Sequence, residues 1–408
     1  MKNFHRLPRT ATGITLIELM IALLIGTVLV LGLVQVFAAS RTAYQLSQGI
    51  ARNQESSRFA VDFLTRDLRM AGHFGCVNDQ SLLSTDGTNI TGGNIRSLFM
   101  TGPNRNTNNV ASLLFPLRFD MSIQGFEANG TSPGNLRAIP TTPAVGAATA
   151  WTPALPTEIS GLNPVAGSDI VVLRYLSAEE APITTFNAGG TPAVVYPDTS
   201  GALATGGSGL YAIADCRSAT VFQASGAPSA TSMNVTQTGL NASDLSFISS
   251  QDGSLAYKAG SASLFRAESL VYYVAINGQG EPALYRTRWI SQPGTGALTA
   301  VTEEMVDGVE SMQLLYGLDS APLTSVPSGY ISTMVTADNV IGGAAAWRRV
   351  GAVQLGLVVR NAGERAASEQ SQLPLTVLEV RMPPQQPDGN YRTAYETTVA
   401  LRNRLFGN

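Results

Sequence analysis

The 408-residue chain carries a net charge of −3, with 44% hydrophobic but only 13% charged residues, about half the charged share usual in a soluble domain. Beyond the first nine residues the pair Arg348–Arg349 is the one basic cluster, and a nucleic-acid surface needs a stripe of such residues, so nucleic acid is excluded as a partner. Length admits two or three domains or one large β-rich one, and the abundance of Gly, Thr, Ser, Asn and Pro after the N-terminal region reads as strands and long loops.

The N-terminus comes first and decides the class. Residues 1–13 contain Lys2, Arg6 and Arg9 and no acidic residue, and residues 14–40 form an apolar run with no charge after Glu18. About 20 apolar residues span a bilayer as a helix, and basic residues before the span stay cytoplasmic. The bulk of the chain is therefore placed on the far side, in the periplasm of a Gram-negative cell or outside the membrane. A secretory signal has a shorter apolar region of ~7–15 residues followed by its cleavage site, so it fits poorly. Glu18 is the informative residue, because a carboxylate in an apolar membrane segment is costly and marks function by default. It stands four residues after Ile14, on the same helix face. A cut between Gly13 and Ile14 creates an α-amino group one turn away, and an ammonium and a carboxylate satisfy each other in a low-dielectric setting.

The run Gly13-Ile14-Thr15-Leu16-Ile17-Glu18 resembles the type IV prepilin motif. That resemblance implies that a prepilin peptidase cuts after Gly13 and methylates the amine of Ile14. It also implies that Glu18 draws the subunit onto a neighbour's N-terminus during assembly. Most members have Phe where Ile14 stands; the position chiefly needs an apolar residue. Localisation follows as the inner membrane before assembly and the pilus afterwards.

Past Ser40 the pattern turns amphipathic. Leu46, Ile50, Ser57, Val61, Leu64, Leu68 and Ala71 recur at three- and four-residue steps, the mark of one buried face, with Arg41, Arg52, Arg58, Asp62, Arg66 and Asp67 mostly elsewhere. Gly72 and Gly75 end the helix. One helix over residues 14–71 would be about 85 Å long. An α+β fold is expected: a long N-terminal helix, half in the membrane and half packed on an antiparallel sheet, with a large β-rich elaboration. The expected segments are a leader (1–13), a membrane or filament-core helix (14–40), an amphipathic continuation (41–75) and a periplasmic head (76–408). The loop-rich stretch 125–168 is expected to hold no regular helix and to separate a first β-region from a main sheet after Asp169.

The stretch 54–76 resembles PilW-type minor pilins more than major pilins, and so do IVVLRYL (170–176), DCRSATVFQ (215–223), SLVYYVAINGQGEPALYRTRW (269–289), the segments 305–319 and 347–360, and the tail 391–404. The run around Asn277-Gly278 also reads as a hairpin on local chemistry. Gln35 replaces the proline usual in major pilins, and the head is far larger than theirs. The resemblance implies a minor subunit that primes or caps type IV pilus assembly, with other minor pilins, the major pilin and the prepilin peptidase as partners. Segments 306–317 and 353–360 also resemble minor pseudopilin J of type II secretion, so a pseudopilus tip subunit is the alternative, and a tip adhesin a further one.

Two cysteines, Cys76 and Cys216, lack metal or redox spacing. Outside the cytoplasm they read as one structural disulfide, with two buried free thiols as the alternative. His5 leaves with the leader, and His73 beside a helix end reads as packing or capping rather than as a catalytic or zinc-binding group. The glycine run 205–209 lacks the Lys-Ser/Thr of a phosphate loop. Asp307, Glu310 and Asp319 lack the spacing of a calcium loop, Trp151, Trp289 and Trp347 read as core, and Glu179–Glu180 and Glu303–Glu304 as solvated. No catalytic constellation, metal site or cofactor is expected, and the chain reads as a non-enzyme.

Overall fold

The computed structural model describes residues 13–77, 95–100, 113–198, 203, 208–246, 257–323, 325, 327–361, 374–384 and 389–404. The charged part of the leader and part of the Gly/Thr-rich stretch 187–209 lie outside them. One helix, α1 (Leu16–Met70), runs unbroken through Gly26, Gly32 and Gly49. Among the described residues the strands that follow are, in chain order, β1 (Ile95–Ser97), β2 (Ile123–Ala128), β3 (Trp151–Thr152), β4 (Ile170–Pro182), β5 (Thr185–Phe186), β6 (Val194–Val195), β7 (Leu210–Ala214), β8 (Ala219–Gln223), β9 (Ser232–Met233), β10 (Ser263–Ile276), β11 (Pro282–Ile290), β12 (Thr299–Asp307), β13 (Val309–Asp319), β14 (Ile331–Val335), β15 (Val350–Arg360), β16 (Leu375–Val377), β17 (Val380–Met382) and β18 (Arg392–Ala400). The result is α+β.

The larger sheet has the order β1-β8-β7-β10-β4-β2-β3, with β11 pairing β10 and β12 beyond it. The long β10 serves two partners along one edge: its first residues pair β7 and its last pair β11, while β4 covers the other edge. The hairpin expected at Asn277 forms, with a five-residue turn. Asn277 Oδ1 accepts from the N–H groups of Gln279 and Glu281, both at 3.0 Å, the side-chain-to-backbone bonding that suits Asn to turns. The second sheet, β14-β13-β15-β18, is antiparallel throughout.

Both sheets and the helix share one core. Ala60, Leu64, Leu68 and Ala71 pack with Leu173, Tyr272 and Leu284 of the larger sheet and with Leu314, Leu355 and Val399 of the second. Ser168 and Asp169 staple the sheets. Asp169 accepts the N–H of Ala128 and that of Leu314, each at 2.8 Å, and its own N–H donates to Met312 O at 2.7 Å. Gly125 on β2 completes the join, since a Cβ there would sit 2.1 Å from Tyr316 Oη of β13.

Two expectations are corrected. The stretch 125–168 does not separate two β-regions, because it begins inside β2, which pairs β4 in the same sheet, and it contains a one-turn helix, Thr157–Ser160. The strand's Gly and Glu disguised it as loop. The buried face of α1 agrees with the expected one at Ser57, Leu64, Leu68 and Ala71 but departs from it at Leu46, Ile50 and Val61. Gly49, Asn53, Ser57, Ala60, Leu64, Asp67 and Leu68 are buried, while Leu46 is exposed and Ile50 and Val61 are only half-buried. The helix meets β15 and the start of β18 through a polar residue there, Asn53, whose Nδ2 donates to Val359 O and Tyr391 O.

Candidate assembly site

Thr15 is the N-cap of α1 and forms a reciprocal capping box with Glu18, which satisfies helix N–H groups that have no intrahelical acceptor. The Thr15 N–H and hydroxyl both donate to Glu18 Oε2 at 2.9 Å, and the Glu18 N–H donates to Thr15 Oγ1 at 3.3 Å. Gly13 and Ile14 precede the cap in non-helical backbone, accessible as a site of cleavage requires. From Ile14 (77% exposed) to Phe37 (71% exposed) every large apolar side chain is bare. Residues 16–40 rise about 37 Å as a helix, enough for a hydrocarbon core of about 30 Å.

The other end of α1 is fixed to the head by polar groups at buried positions. Asn53 Nδ2 donates to Tyr391 O at 2.9 Å, beside the start of β18. Asp67 accepts from Tyr272 Oη at 2.6 Å and Tyr175 Oη at 3.3 Å, and pairs with Arg286 at 3.2 Å. Burial, followed by the Asp67 charge, pushes both tyrosine hydroxyls well up, so they stay protonated donors. At the helix end Gly72 has φ of +78°, and Arg404 lies over it where a Cβ would stand. The Arg404 guanidinium donates to Trp347 O and Val350 O, and Asn403 Nδ2 donates to Arg69 O, closing the helix C-terminus with a cation as its dipole favours. His73 Nδ1–H donates to Leu176 O at 2.8 Å. Cys76 is bonded to Cys216, tying the chain just past the helix to the turn after β7.

Two family matches fall on these elements. Residues 8–34 match the prokaryotic N-terminal methylation motif, which covers Gly13, Ile14, Glu18 and most of the bare apolar helix. Residues 271–403 match the family described as type IV pilus-assembly protein W, which covers the end of β10 through β18, including most of the strands that hold α1. The chain is a type IV minor-pilin-like protein. No curated protein matches it. The motif and the apolar helix anchor this pilin-like chain in the inner membrane, and it works in association with the pilus.

In the pilin-like chain Gly13, Ile14 and Glu18 lie together at one end of α1, whereas Cys76 and Cys216 meet at the other, some 80 Å away along 55 helical residues. Asp67, read in the sequence as lying off the buried face, is instead a buried anchor. Its place three residues after Leu64 and one before Leu68 puts it in the apolar stripe, and that phase was the available signal. Glu310 is likewise an internal anchor, bonded by Arg392 at 2.6 and 2.9 Å and by Arg360 at 3.2 Å, while Arg360 also pairs with Glu281. Asp319 accepts from the N–H groups of Ala321, Ser328 and Gly329 and so shapes a loop. The three tryptophans are buried. Glu303 and Glu304 are exposed, and Glu303 pairs with Arg286 at 2.6 Å. Among the described residues no group of His, Cys, Asp and Glu is arranged to hold a metal ion.

Proposed function

We propose that this chain is a minor pilin that primes or caps type IV pilus assembly, a structural subunit rather than a catalyst. Prepilin peptidase cuts after Gly13 and methylates Ile14, leaving Glu18 on the fifth residue of the mature chain. Residues 14–40 hold the subunit in the membrane and then enter the filament core, residues 41–75 carry the helix into the head, and the rest from residue 76 is the head. Other minor pilins and the major pilin are its partners.

The observation that supports this reading is the division of α1. One half is apolar and bare, with a carboxylate placed at its free end, and the other half is locked under two sheets. A lone membrane anchor has no use for that carboxylate. In assembly its bond to Thr15 is exchanged for the ammonium group of a neighbour, an ion pair that a low-dielectric core makes strong. The bulky head fits where no subunit has to stack above it, so a tip position follows. Processing is tested by mass spectrometry of the N-terminus. A mature chain beginning at methylated Ile14, and an unprocessed Gly13→Val variant, are expected; a mature chain beginning elsewhere overturns the cleavage assignment. The tip role is tested by deletion: loss of piliation with the major pilin still made is expected, and unchanged piliation contradicts it.

A further inference from the structure

The free edges of the two large sheets are not alike. β1 and β3 have three and two residues. β12 carries Glu303, Glu304 and Asp307. β18 carries Arg392 and Glu396, and the β16–β17 hairpin reaches it through the Leu378 N–H, which donates to Glu396 Oε1 at 2.7 Å. Short length, charge and a covering element are the usual means of keeping an edge from pairing. Among the described residues β14 pairs β13 alone, and residues 328–337 contain no charge and no proline. Ser332, Thr333 and Met334 are exposed, and Tyr330, just before the strand, is 68% exposed. Unpaired backbone groups on an uncharged β-rich segment are complementary to another strand.

Topology states which strand fits. α1 runs alongside β18, since Asn53 meets Tyr391 while Arg69 and Gly72 meet Asn403 and Arg404. With β18, β15, β13 and β14 successively antiparallel, β14 runs back toward the membrane, opposite to α1. It also sits at the far end of the second sheet: Met334 is opposite Gly317, Gly317 opposite Ala352 and Ala352 opposite Ala400. A second copy pairing β14 to β14 antiparallel is related by a two-fold axis that reverses α1, so both anchors cannot enter one membrane. A parallel two-fold pairing sets N–H against N–H. A different subunit standing in the same membrane fits, provided that its free edge strand runs with its own helix, as β18 does here.

We propose that β14 is a docking edge to which another pilin subunit, with its N-terminal helix parallel to this one, adds a strand antiparallel to β14 at the membrane-distal end of the second sheet. The proposal rests on the assembly reading above and adds the partner's geometry. The test is hydrogen exchange on the full chain in detergent, alone and in complex with the minor pilins of the same pilus. Backbone amides of residues 331–335 are expected to exchange at least about tenfold more slowly in the complex. The double variant Ser332→Lys, Met334→Lys should retain its disulfide and melting temperature while losing at least about tenfold of the co-purified pilin. A complex in which these amides exchange as in the chain alone, or a double variant with undiminished partner, overturns the docking edge and leaves the assembly reading standing. A chain that binds no pilin at all overturns both.

Discussion

The two halves of α1 obey different solvents. From Leu19 to Ser40 the helix carries no charge and touches no part of the head, whereas from Gly49 to Ala71 it is buried on one face and charged on the other. A helix apolar all round belongs in lipid, and one with a single apolar stripe belongs on a protein core. The comparison teaches that one continuous element is stabilised twice, by two environments that can be perturbed separately. Changes in the second half should register in the stability of the head. Changes in the first should register in insertion and assembly, with the head unaffected.

The largest effect on head stability is expected where the docked half is tied covalently. Replacing Cys76 and Cys216 with Ser opens a link between residues 140 apart, and chain-entropy reasoning for a loop of such length gives about 4–5 kcal/mol. Denaturant unfolding of the oxidised chain and the variant measures it. A loss below about 1 kcal/mol would mean that the core alone fixes the helix end. Leu64→Ala comes next. Leu64 is fully buried, and the substitution should cost about 2–5 kcal/mol, while Leu23→Ala in the bare half should leave head unfolding unchanged. Equal effects of the two would break the comparison.

A pH effect is smaller and has a definite sign. Burial first, and then Asp338, pushes the Glu127 carboxyl up to about 7; burial, with Glu127 beside it, also raises Asp169. Asp169 has two backbone N–H donors, whereas Glu127 Oε2 has no partner, so the proton resides on Glu127. A folded-state pKa above the unfolded value means that folding is favoured with the proton on. That contribution is full below about 4.5 and is lost as pH rises through about 7. Glu127→Gln should flatten this window and raise stability at pH 8 by on the order of 2 kcal/mol. Melting curves at pH 5 and pH 8 decide it, and an unchanged pH slope in the variant contradicts the assignment. The smallest effect belongs to the rim. The Glu303 side chain is half-exposed in its pair with Arg286, and Glu303→Gln should cost under about 1 kcal/mol.

How much was legible in the sequence follows the same division. The membrane half was plain, because twenty-odd apolar residues with one carboxylate have few readings. The strands at 170–176 and 210–214, the hairpin at Asn277 and the Cys76–Cys216 bond also agree with the structure. In the docked half the expected face agrees with the structure at Ser57, Leu64, Leu68 and Ala71 and departs from it earlier, where side-chain size misleads: Gly49 and Asn53 are buried and Leu46 is left outside. Asp67, Glu310 and Asp169 were missed as anchors because a buried carboxylate is identified by partners far along the chain. Tyr272 and Arg286 lie more than two hundred residues from Asp67, and no local pattern announces them. The edge at β14 was invisible for the same reason, as an edge is defined by the absence of a neighbour.

Glu18 carries the central claim, and one substitution tests it. Glu18→Ala removes the carboxylate and makes the segment more apolar, so insertion should persist and the head, held by the other half of α1, should melt as before. What should fail is docking, because the neighbour's ammonium group would then be buried without a counter-charge, at a cost of several kcal/mol. The measurement is complementation of a strain lacking this gene, scoring surface pili and twitching alongside membrane levels of the variant. A stable, inserted variant that restores no pili is the expected result. Normal piliation by that variant would contradict it and would place recruitment in the head alone.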